Sequence, residues 1–192
     1  MSRFIWATAL AVLLASCGAR YQPPHNMDDA CSIATERPKY MRAFKAAERK
    51  WGVPVHVQMA TIYHESSFRG NARTPFRYVL GILPVGRQSS AYGYSQALDG
   101  TWDDYRAATG KRRARRDRMD DAADFIGWYM TKSRDRNGIA LTDARNQYLA
   151  YHEGHSGYAR GSHNAKSWLL RTSGNVESRS AMYARQLASC SR

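Results

Sequence analysis

One acidic side chain, Glu65, lies at the end of an apolar segment in a position that suits acid catalysis. Met59, Ile62 and Ser66 recur around it at helical spacing, so an amphipathic helix is predicted to run into this segment, and Gly70 marks its end. The partial negative charge at a helix C-terminus and the apolar neighbours both raise the pKa of a carboxyl group. A carboxyl that is protonated at neutral pH can act as a general acid. The alternative is an ordinary glutamate on a helix surface.

Residues 152–155 (His-Glu-Gly-His) resemble a shortened zinc-protease motif. That motif needs two histidines four apart on one helical face, whereas here the spacing is three and Gly154 interrupts the helix. No metal site is therefore predicted, even if His163 supplied a third ligand. His64 is expected to be a packed or exposed histidine, because adjacent helix positions face different ways and it does not share the direction of Glu65.

The composition describes one basic globular domain. The chain has 192 residues, of which 43% are hydrophobic, which suits a single domain with a sizeable core. Its 29 Lys+Arg against 16 Asp+Glu give a formal charge of +13, which favours nucleic acid, acidic lipid or an acidic wall polymer as partner. The densest basic run, residues 111–118, fits either a solvated loop or a contact with such anions.

The N-terminus has the layout of an export signal. A basic residue precedes an apolar run over residues 4–14, which is too short for a comfortable membrane span. Residues 14–17 (Leu-Ala-Ser-Cys) resemble the bacterial lipobox, so 1–16 is predicted to be a signal peptide and Cys17 the lipidated anchor; the alternative is an ordinary signal with an incidental cysteine. Gly18 favours the periplasmic face of the outer membrane, and export excludes nucleic acid as a partner.

Two cysteines, Cys31 and Cys190, remain near the two ends of the folded part. In an oxidising compartment they are the natural disulfide pair, and the bridge would stabilise the fold by ~4–5 kcal/mol through chain entropy. The alternative is two unpaired thiols. The polar, proline-containing residues 17–37 are expected to form a tether with little structure before Cys31.

Helical periodicity predicts an all-α fold over residues 38–190. Helices are expected from Pro38 to Trp51, up to Glu65, and in several later stretches, with Thr101 and Asp143 among the predicted caps. Between 71 and 91 this periodicity lapses among glycines and prolines. We therefore predict a compact, single helical domain with one irregular loop or short hairpin insertion.

Three ordered motifs resemble those of soluble-lytic-transglycosylase catalytic domains, whose lysozyme-like fold is shared with goose-type lysozymes. They are residues 65–68 (Glu-Ser-Ser-Phe), 91–96 (Ala-Tyr-Gly-Tyr-Ser-Gln) and 148–154 (Tyr-Leu-Ala-Tyr-His-Glu-Gly). The family pattern is a Glu-Ser pair ending a helix, a Gly-x-x-Gln turn, and an Ala-Tyr-Asn-Ala-Gly helix end. The resemblance covers roughly residues 38–188.

The resemblance implies a peptidoglycan lytic transglycosylase with Glu65 as its single catalytic carboxylate. Glu65 would protonate the glycosidic oxygen between N-acetylmuramic acid and N-acetylglucosamine. It would then deprotonate the muramic sugar's own primary hydroxyl, closing an anhydro ring, so that one carboxylate suffices where common glycosidases need two. No metal or organic cofactor is expected. The expected partners are peptidoglycan glycan strands and, through Cys17, the membrane; a monomer is expected.

Further site residues follow from the same resemblance. Ser66 would orient hydrogen bonds, Gln96 would contact the sugar, and Tyr151 would hydrogen-bond to Glu65 and position it. Two more tyrosines are implied as sugar-stacking or groove residues: Tyr94 and Tyr158.

The chain departs from the family pattern at two places in these motifs. Ser95 replaces the usual methionine, which removes an apolar platform beside the sugar. His152 and Glu153 replace the usual Asn-Ala, which brings an imidazole and a second carboxylate to the site. Glu153 could permit lysozyme-like hydrolysis, or it could have a structural role; a non-catalytic peptidoglycan-binding lipoprotein is a further alternative. The long segment before Gln96 is expected to form a lid or one wall of the groove.

Overall fold

Residues 21–190 are the part of the chain that the computed structural model describes, and the predicted signal peptide 1–16 and lipidation site Cys17 lie outside it. This part is 64% helical, which confirms the predicted all-α class. Its helices are α1 (Ala30–Glu36), α2 (Pro38–Trp51), α3 (Val55–Ser66), α4 (Asp99–Thr109), α5 (Met119–Asn137), α6 (Ala144–Ala159), a 3-10 helix (Ser162–Ala165) and α7 (Ser167–Cys190).

Helix α3, which carries Glu65, is the central helix of the domain. It packs against α2, α6 and α7, and Val57, Met59 and Ile62 are fully buried. The sequence predicted an amphipathic helix here, but α3 is buried on nearly all sides, as the low polarity of its first turns allows. Its C-terminal end lies among the other helices, with residues 63–65 half-buried.

Helices α2 and α5 pack together around a buried carboxylate, Asp124. Its oxygens accept hydrogen bonds from Tyr105 (2.6 Å), Trp51 (3.0 Å) and Lys50 (3.0 Å), and Lys111 Nζ lies 2.9 Å away. Burial raises the pKa of Asp124, but these hydrogen bonds outweigh it and lower the pKa to about 2. The side chain therefore remains ionised and ties α2, α4 and α5 to the basic loop that follows α4.

The folded unit begins earlier than the predicted boundary at Pro38. Helix α1 falls within the expected tether, and Asp29 caps it by accepting from the backbone N–H groups of residues 31 and 32. The backbone carbonyl of Met27 accepts a hydrogen bond from Tyr183 of α7. The predicted disulfide between Cys31 and Cys190 is present, with 5.7 Å between the Cα atoms. The bridge and these contacts hold the N-terminal segment against α7.

A β-hairpin of β1 (Phe76–Val79) and β2 (Leu83–Arg87) forms the irregular insertion that the sequence predicted. Its strands are antiparallel, with an irregularity in register after Arg77, and most of its side chains are exposed. Within residues 21–190, no helix is both long and apolar enough to cross a bilayer.

Candidate active site

An open cleft of about 530 Å³ lies at the C-terminal end of α3. It is bounded by the loop that follows the hairpin and by α4, α5 and α6. The cleft is lined by Glu65, Thr74, Ala91, Gln96, Ala97, Leu98, Thr101, Phe125, Tyr129, Tyr151, His152, Glu153 and Gly154. Residues from all three sequence motifs therefore meet in one concave site.

A left-handed turn fixes the position of Glu65 at the end of α3. Ser67 caps the helix with φ 50°, and its N–H donates to the carbonyl of Tyr63 at 2.8 Å. Phe68 follows with φ 57°, a conformation that bulky residues rarely adopt. Its fully buried ring packs between Tyr40 and Tyr63, with ring centroids 6.2 and 6.5 Å away. The core packing of Phe68 stabilises a strained turn next to the carboxyl group, as is common at functional sites.

The half-buried side chain of Glu65 shares the cleft lining with the apolar and aromatic side chains of Phe125, Tyr129 and Tyr151. Burial raises its pKa to about 8, and a hydrogen bond with Tyr148 lowers the pKa by a smaller amount. The charged form is disfavoured because few groups replace the water that a carboxylate needs. Glu65 is therefore mainly protonated at pH 7, as the sequence analysis predicted on the basis of apolar surroundings.

Tyr151 does not make the predicted hydrogen bond to Glu65. Its hydroxyl donates instead to the backbone carbonyl of Ser95 at 2.5 Å, and its ring packs edge-on against Tyr129 with centroids 5.0 Å apart. The predicted partner is therefore wrong, because the Tyr151 hydroxyl donates its proton to the Ser95 carbonyl. The tyrosine that interacts with Glu65 is Tyr148, one turn earlier on α6.

The loop that carries Gln96 depends on a glycine and on its own side-chain amide. Gly93 has φ 79°, and a Cβ there would lie 2.1 Å from the carbonyl oxygen of Arg116, so only glycine fits. Gln96 is also left-handed, with φ 48°. Its Nε2 donates to the carbonyls of Gly93 (2.7 Å) and Ala72 (3.0 Å). Gln96 thus borders the cleft and also holds the loop in shape, and its predicted contact with the sugar stays a prediction.

Three other residues of these motifs are buried behind the cleft. The Tyr94 hydroxyl lies 2.9 Å from that of Tyr40 inside the core, and only 3% of Tyr94 is exposed. The Ser66 hydroxyl donates to the carbonyl of Ile62 at 3.2 Å. Ser95 is fully buried, and its hydroxyl finds no hydrogen-bond partner among residues 21–190. The prediction that Tyr94 is a groove residue does not match its burial, and neither serine side chain reaches the cleft.

Tyr158 and His155 of α6 also face other surroundings. The Tyr158 hydroxyl donates to Asn146 at 3.0 Å, and its ring stacks on His163 (5.0 Å), outside the cleft lining. His155 Nε2 lies 3.2 Å from the hydroxyl of Ser133. In the described part of the chain, no group of three or more His, Cys, Asp or Glu side chains is arranged to hold a metal ion.

Glu153 borders the cleft but is engaged by other side chains. Lys166 donates to it at 2.7 Å, Ser162 donates a short hydrogen bond, and His152 Nδ1 lies 3.1 Å away. The hydrogen bond from Lys166, then that from Ser162, lowers its pKa to about 2. The backbone turns out of helical geometry at Gly154 (φ 73°, ψ 156°), directly after this carboxylate. The two carboxyl groups of the cleft therefore differ sharply, with Glu65 neutral and Glu153 ionised.

Sequence reasoning missed two residues of this site. Tyr148 lies within the third motif, three residues before Tyr151, so helical geometry alone could have placed both on one face towards α3. Lys166 belongs to no motif, and only the fold brings it to Glu153.

The comparison with known families agrees with this geometry. The family model described as transglycosylase SLT domain matches residues 5–190. The chain belongs to the transglycosylase SLT domain family. A comparison with curated proteins found no match. SLT-domain membership indicates peptidoglycan lytic transglycosylase activity in general and a place in the cell envelope. In this SLT domain, the cleft at Glu65 combines a concave surface with a neutral carboxyl group.

Proposed function

We propose that the chain cleaves the bond between N-acetylmuramic acid and N-acetylglucosamine in peptidoglycan, with Glu65 as its only catalytic carboxyl group, and that it releases an anhydro-muramic product. The observation that carries the proposal is the raised pKa of Glu65, about 8, in a cleft that belongs to an SLT domain. We further propose that residues 1–16 are removed and that lipidated Cys17 holds the enzyme to the periplasmic face of the outer membrane.

A pKa near 8 suits both halves of the proposed reaction. In the first half, neutral Glu65 gives its proton to the glycosidic oxygen as the bond from that oxygen to C1 of the muramic sugar breaks. In the second half, anionic Glu65 removes the proton of the sugar's C6 hydroxyl as that oxygen bonds to C1. The burial that keeps Glu65 protonated also makes its anion a stronger base than an exposed carboxylate. The proton returns to Glu65, and no water is consumed.

The state of Glu153 supports a mechanism with one carboxylate. A general base that activates water must be able to take up a proton near neutral pH. The hydrogen bonds of Glu153 to Lys166 and Ser162 hold its pKa near 2, which makes it a weak base. We propose that Glu153 shapes the α6 end of the cleft, and that Gln96 and His152 contact the glycan.

The decisive experiment compares Glu65→Gln with the wild-type chain on purified peptidoglycan, with released muropeptides analysed by mass spectrometry. The wild type should release products that are one water lighter than hydrolytic ones. Glu65→Gln should release none while still folding and binding the sacculi. Glu177→Gln, which changes an exposed glutamate on α7, is the matched control and should remain active.

Two results would contradict the proposal. Products with reducing ends, lost in Glu153→Gln, would establish lysozyme-like hydrolysis with two carboxylates. Wild-type protein that binds sacculi but releases nothing, and that binds them equally well as Glu65→Gln, would establish a non-catalytic binding protein.

A further inference from the structure

The hairpin formed by β1 and β2 exposes an apolar surface that the domain does not cover. Leu80 is 86% exposed, Ile82 75% and Leu83 58%. Side chains on both faces of the strands are exposed, so neither face packs on the helices. A contiguous exposed apolar surface on a soluble domain usually marks an interaction site.

The base of the hairpin is fixed to the domain while its tip projects. Arg87 Nη1 donates to the carbonyl of Thr74 at 2.6 Å, and the N–H of Gln88 donates to the carbonyl of Pro75 at 3.1 Å. The Thr74 hydroxyl donates to the carbonyl of Ser89 at 2.9 Å. No residue of the hairpin belongs to the described hydrophobic core or packs against it, so the apolar tip does not stabilise the fold.

Charge and residue type are layered along the hairpin. Residues 78–85, at the tip, contain no charged side chain, and residues 66–98 contain no Asp or Glu. Aromatic and basic side chains lie towards the base, where the Arg87 guanidinium stacks 4.1 Å above the Phe76 ring. Arg77 is exposed on β1. The largely aliphatic tip and the aromatic and basic base follow the order of hydrocarbon and anionic headgroup interface in a lipid leaflet.

We propose that this hairpin inserts its tip into the surface of an anionic lipid membrane. Strands of four and five residues rise about 3.3 Å per residue, or roughly 15 Å in all, which spans the headgroup layer and leaves the arginines beside the phosphates. Thr74 at the hairpin base borders the cleft. Insertion would therefore hold the mouth of the cleft close to the lipid surface.

The residue types of the hairpin favour lipid as its partner over a glycan, another protein or a second copy of this chain. Branched aliphatic side chains such as Leu80 and Ile82 offer a glycan no flat face for stacking and no hydrogen bonds. Pairing with a strand of another protein or of a second copy is hindered on β2, because Pro84 lacks an N–H group. The register irregularity after Arg77 interrupts regular pairing along β1. The inference does not depend on the catalytic proposal, since it concerns binding alone.

Vesicle binding by residues 21–190 tests the inference without the lipid anchor, since the described core and the disulfide lie within this segment. The probes are vesicles of phosphatidylethanolamine with phosphatidylglycerol, and vesicles of phosphatidylcholine alone. The wild-type segment should co-sediment preferentially with the anionic vesicles. Leu80→Asp/Ile82→Asp should lower this binding at least about tenfold, because two charges would have to enter the hydrocarbon boundary.

The matched control is Ala107→Asp/Ala181→Asp, which adds the same charge at two exposed helical positions away from the hairpin. It should bind nearly as well as the wild type. Arg77→Gln should weaken binding to anionic vesicles severalfold and leave binding to neutral vesicles unchanged. Circular dichroism should show all variants folded at the assay temperature, since each changed side chain is exposed.

Three outcomes would overturn the inference. The first is that the wild-type segment binds neither kind of vesicle. The second is that the hairpin variant binds as well as its control. The third is a wild-type dimer in sedimentation equilibrium that Leu80→Asp/Ile82→Asp dissociates without any change in vesicle binding, which would make the hairpin an interface between copies of this chain.

Discussion

The hydroxyl group of Tyr148 lies next to the carboxyl group of Glu65 and lowers its pKa, and so links α6 to the end of α3. Tyr151, one turn further along α6, uses its hydroxyl for the carbonyl of Ser95 instead. One helix face therefore carries two tyrosines with separate tasks. The first acts on the ionisation of the acid, and the second on the position of the loop that carries Gln96.

The first prediction separates these two tyrosines by their effect on the pH profile. Glu65 must be protonated to act as an acid, so kcat/KM should fall as the pH rises through about 8. Because the hydrogen bond from Tyr148 lowers the pKa of Glu65, Tyr148→Phe should shift this alkaline limb to higher pH. Tyr151→Phe should lower activity through the loop and leave the limb in place. A limb that moves in Tyr151→Phe and not in Tyr148→Phe would reverse the two assignments.

The second prediction is that Glu65→Gln stabilises the fold. The pKa of Glu65 is raised from 4.5 to about 8, so the folded state retains a proton that the unfolded chain releases. The stability that the raised pKa contributes is fully present below pH 4.5 and is lost as the pH rises towards 8. At pH 7 this loss lowers the free energy of unfolding by roughly 3 kcal/mol. Glu65→Gln removes this cost.

The unfolding temperature of Glu65→Gln should therefore exceed that of the wild type at pH 8, and the two should converge at pH 4. Glu177→Gln, at an exposed position, should show no such trend. An equal difference at both pH values would mean that packing, and not ionisation, causes the effect.

Much of the fold could be predicted because it depends on local patterns. The spacing of apolar residues correctly predicted that α2 runs from Pro38 to Trp51. Asp143 caps α6, as predicted. Thr101 was wrong as a cap, since α4 begins at Asp99. A single suitable side chain predicts a cap only to within a few residues, because a neighbouring turn can shift the residue at which the helix begins.

The site was less predictable where it depends on contacts between distant segments. The sequence indicated Glu65 and a cleft, but a motif does not show which of two tyrosines on one face reaches an atom of another helix. Lys111, in the basic run 111–118, proves to be an ion-pair partner of Asp124. Contact of the remaining run with anionic polymers stays a prediction.

The third prediction concerns the pair formed by Glu153 and Lys166. Lys166→Met would leave a carboxylate whose side chain is only 4% exposed without its cation, which should cost about 1–3 kcal/mol of unfolding free energy. Glu153→Gln should cost less, because Lys166 is partly exposed and can be solvated. Both variants should still release the anhydro product if Glu65 is the only catalytic carboxyl group. Chemical denaturation and muropeptide mass spectrometry measure the two effects, and loss of turnover in Glu153→Gln with an intact fold would contradict the prediction.

The fourth prediction is that Asp124 stabilises the joined α2 and α5 helices in a pH-dependent manner. Hydrogen bonds from Tyr105, Lys111 and others lower its pKa from 3.8 to about 2, so its contribution is complete above pH 3.8 and is lost as the pH falls through 2. Asp124→Asn should therefore lower the free energy of unfolding by about 2 kcal/mol at pH 7. The deficit relative to the wild type should shrink between pH 4 and pH 2.

Urea unfolding at pH 7 and pH 2 measures this deficit. Asp103→Asn is the matched control, because Asp103 is exposed and pairs only with Arg106 among the described ion pairs, so its loss should cost well under 1 kcal/mol. Equal costs for Asp103→Asn and Asp124→Asn would show that the buried position of Asp124 adds nothing. A deficit for Asp124→Asn that is as large at pH 2 as at pH 7 would show that lost shape and hydrogen bonding, and not the lost charge, destabilise the variant.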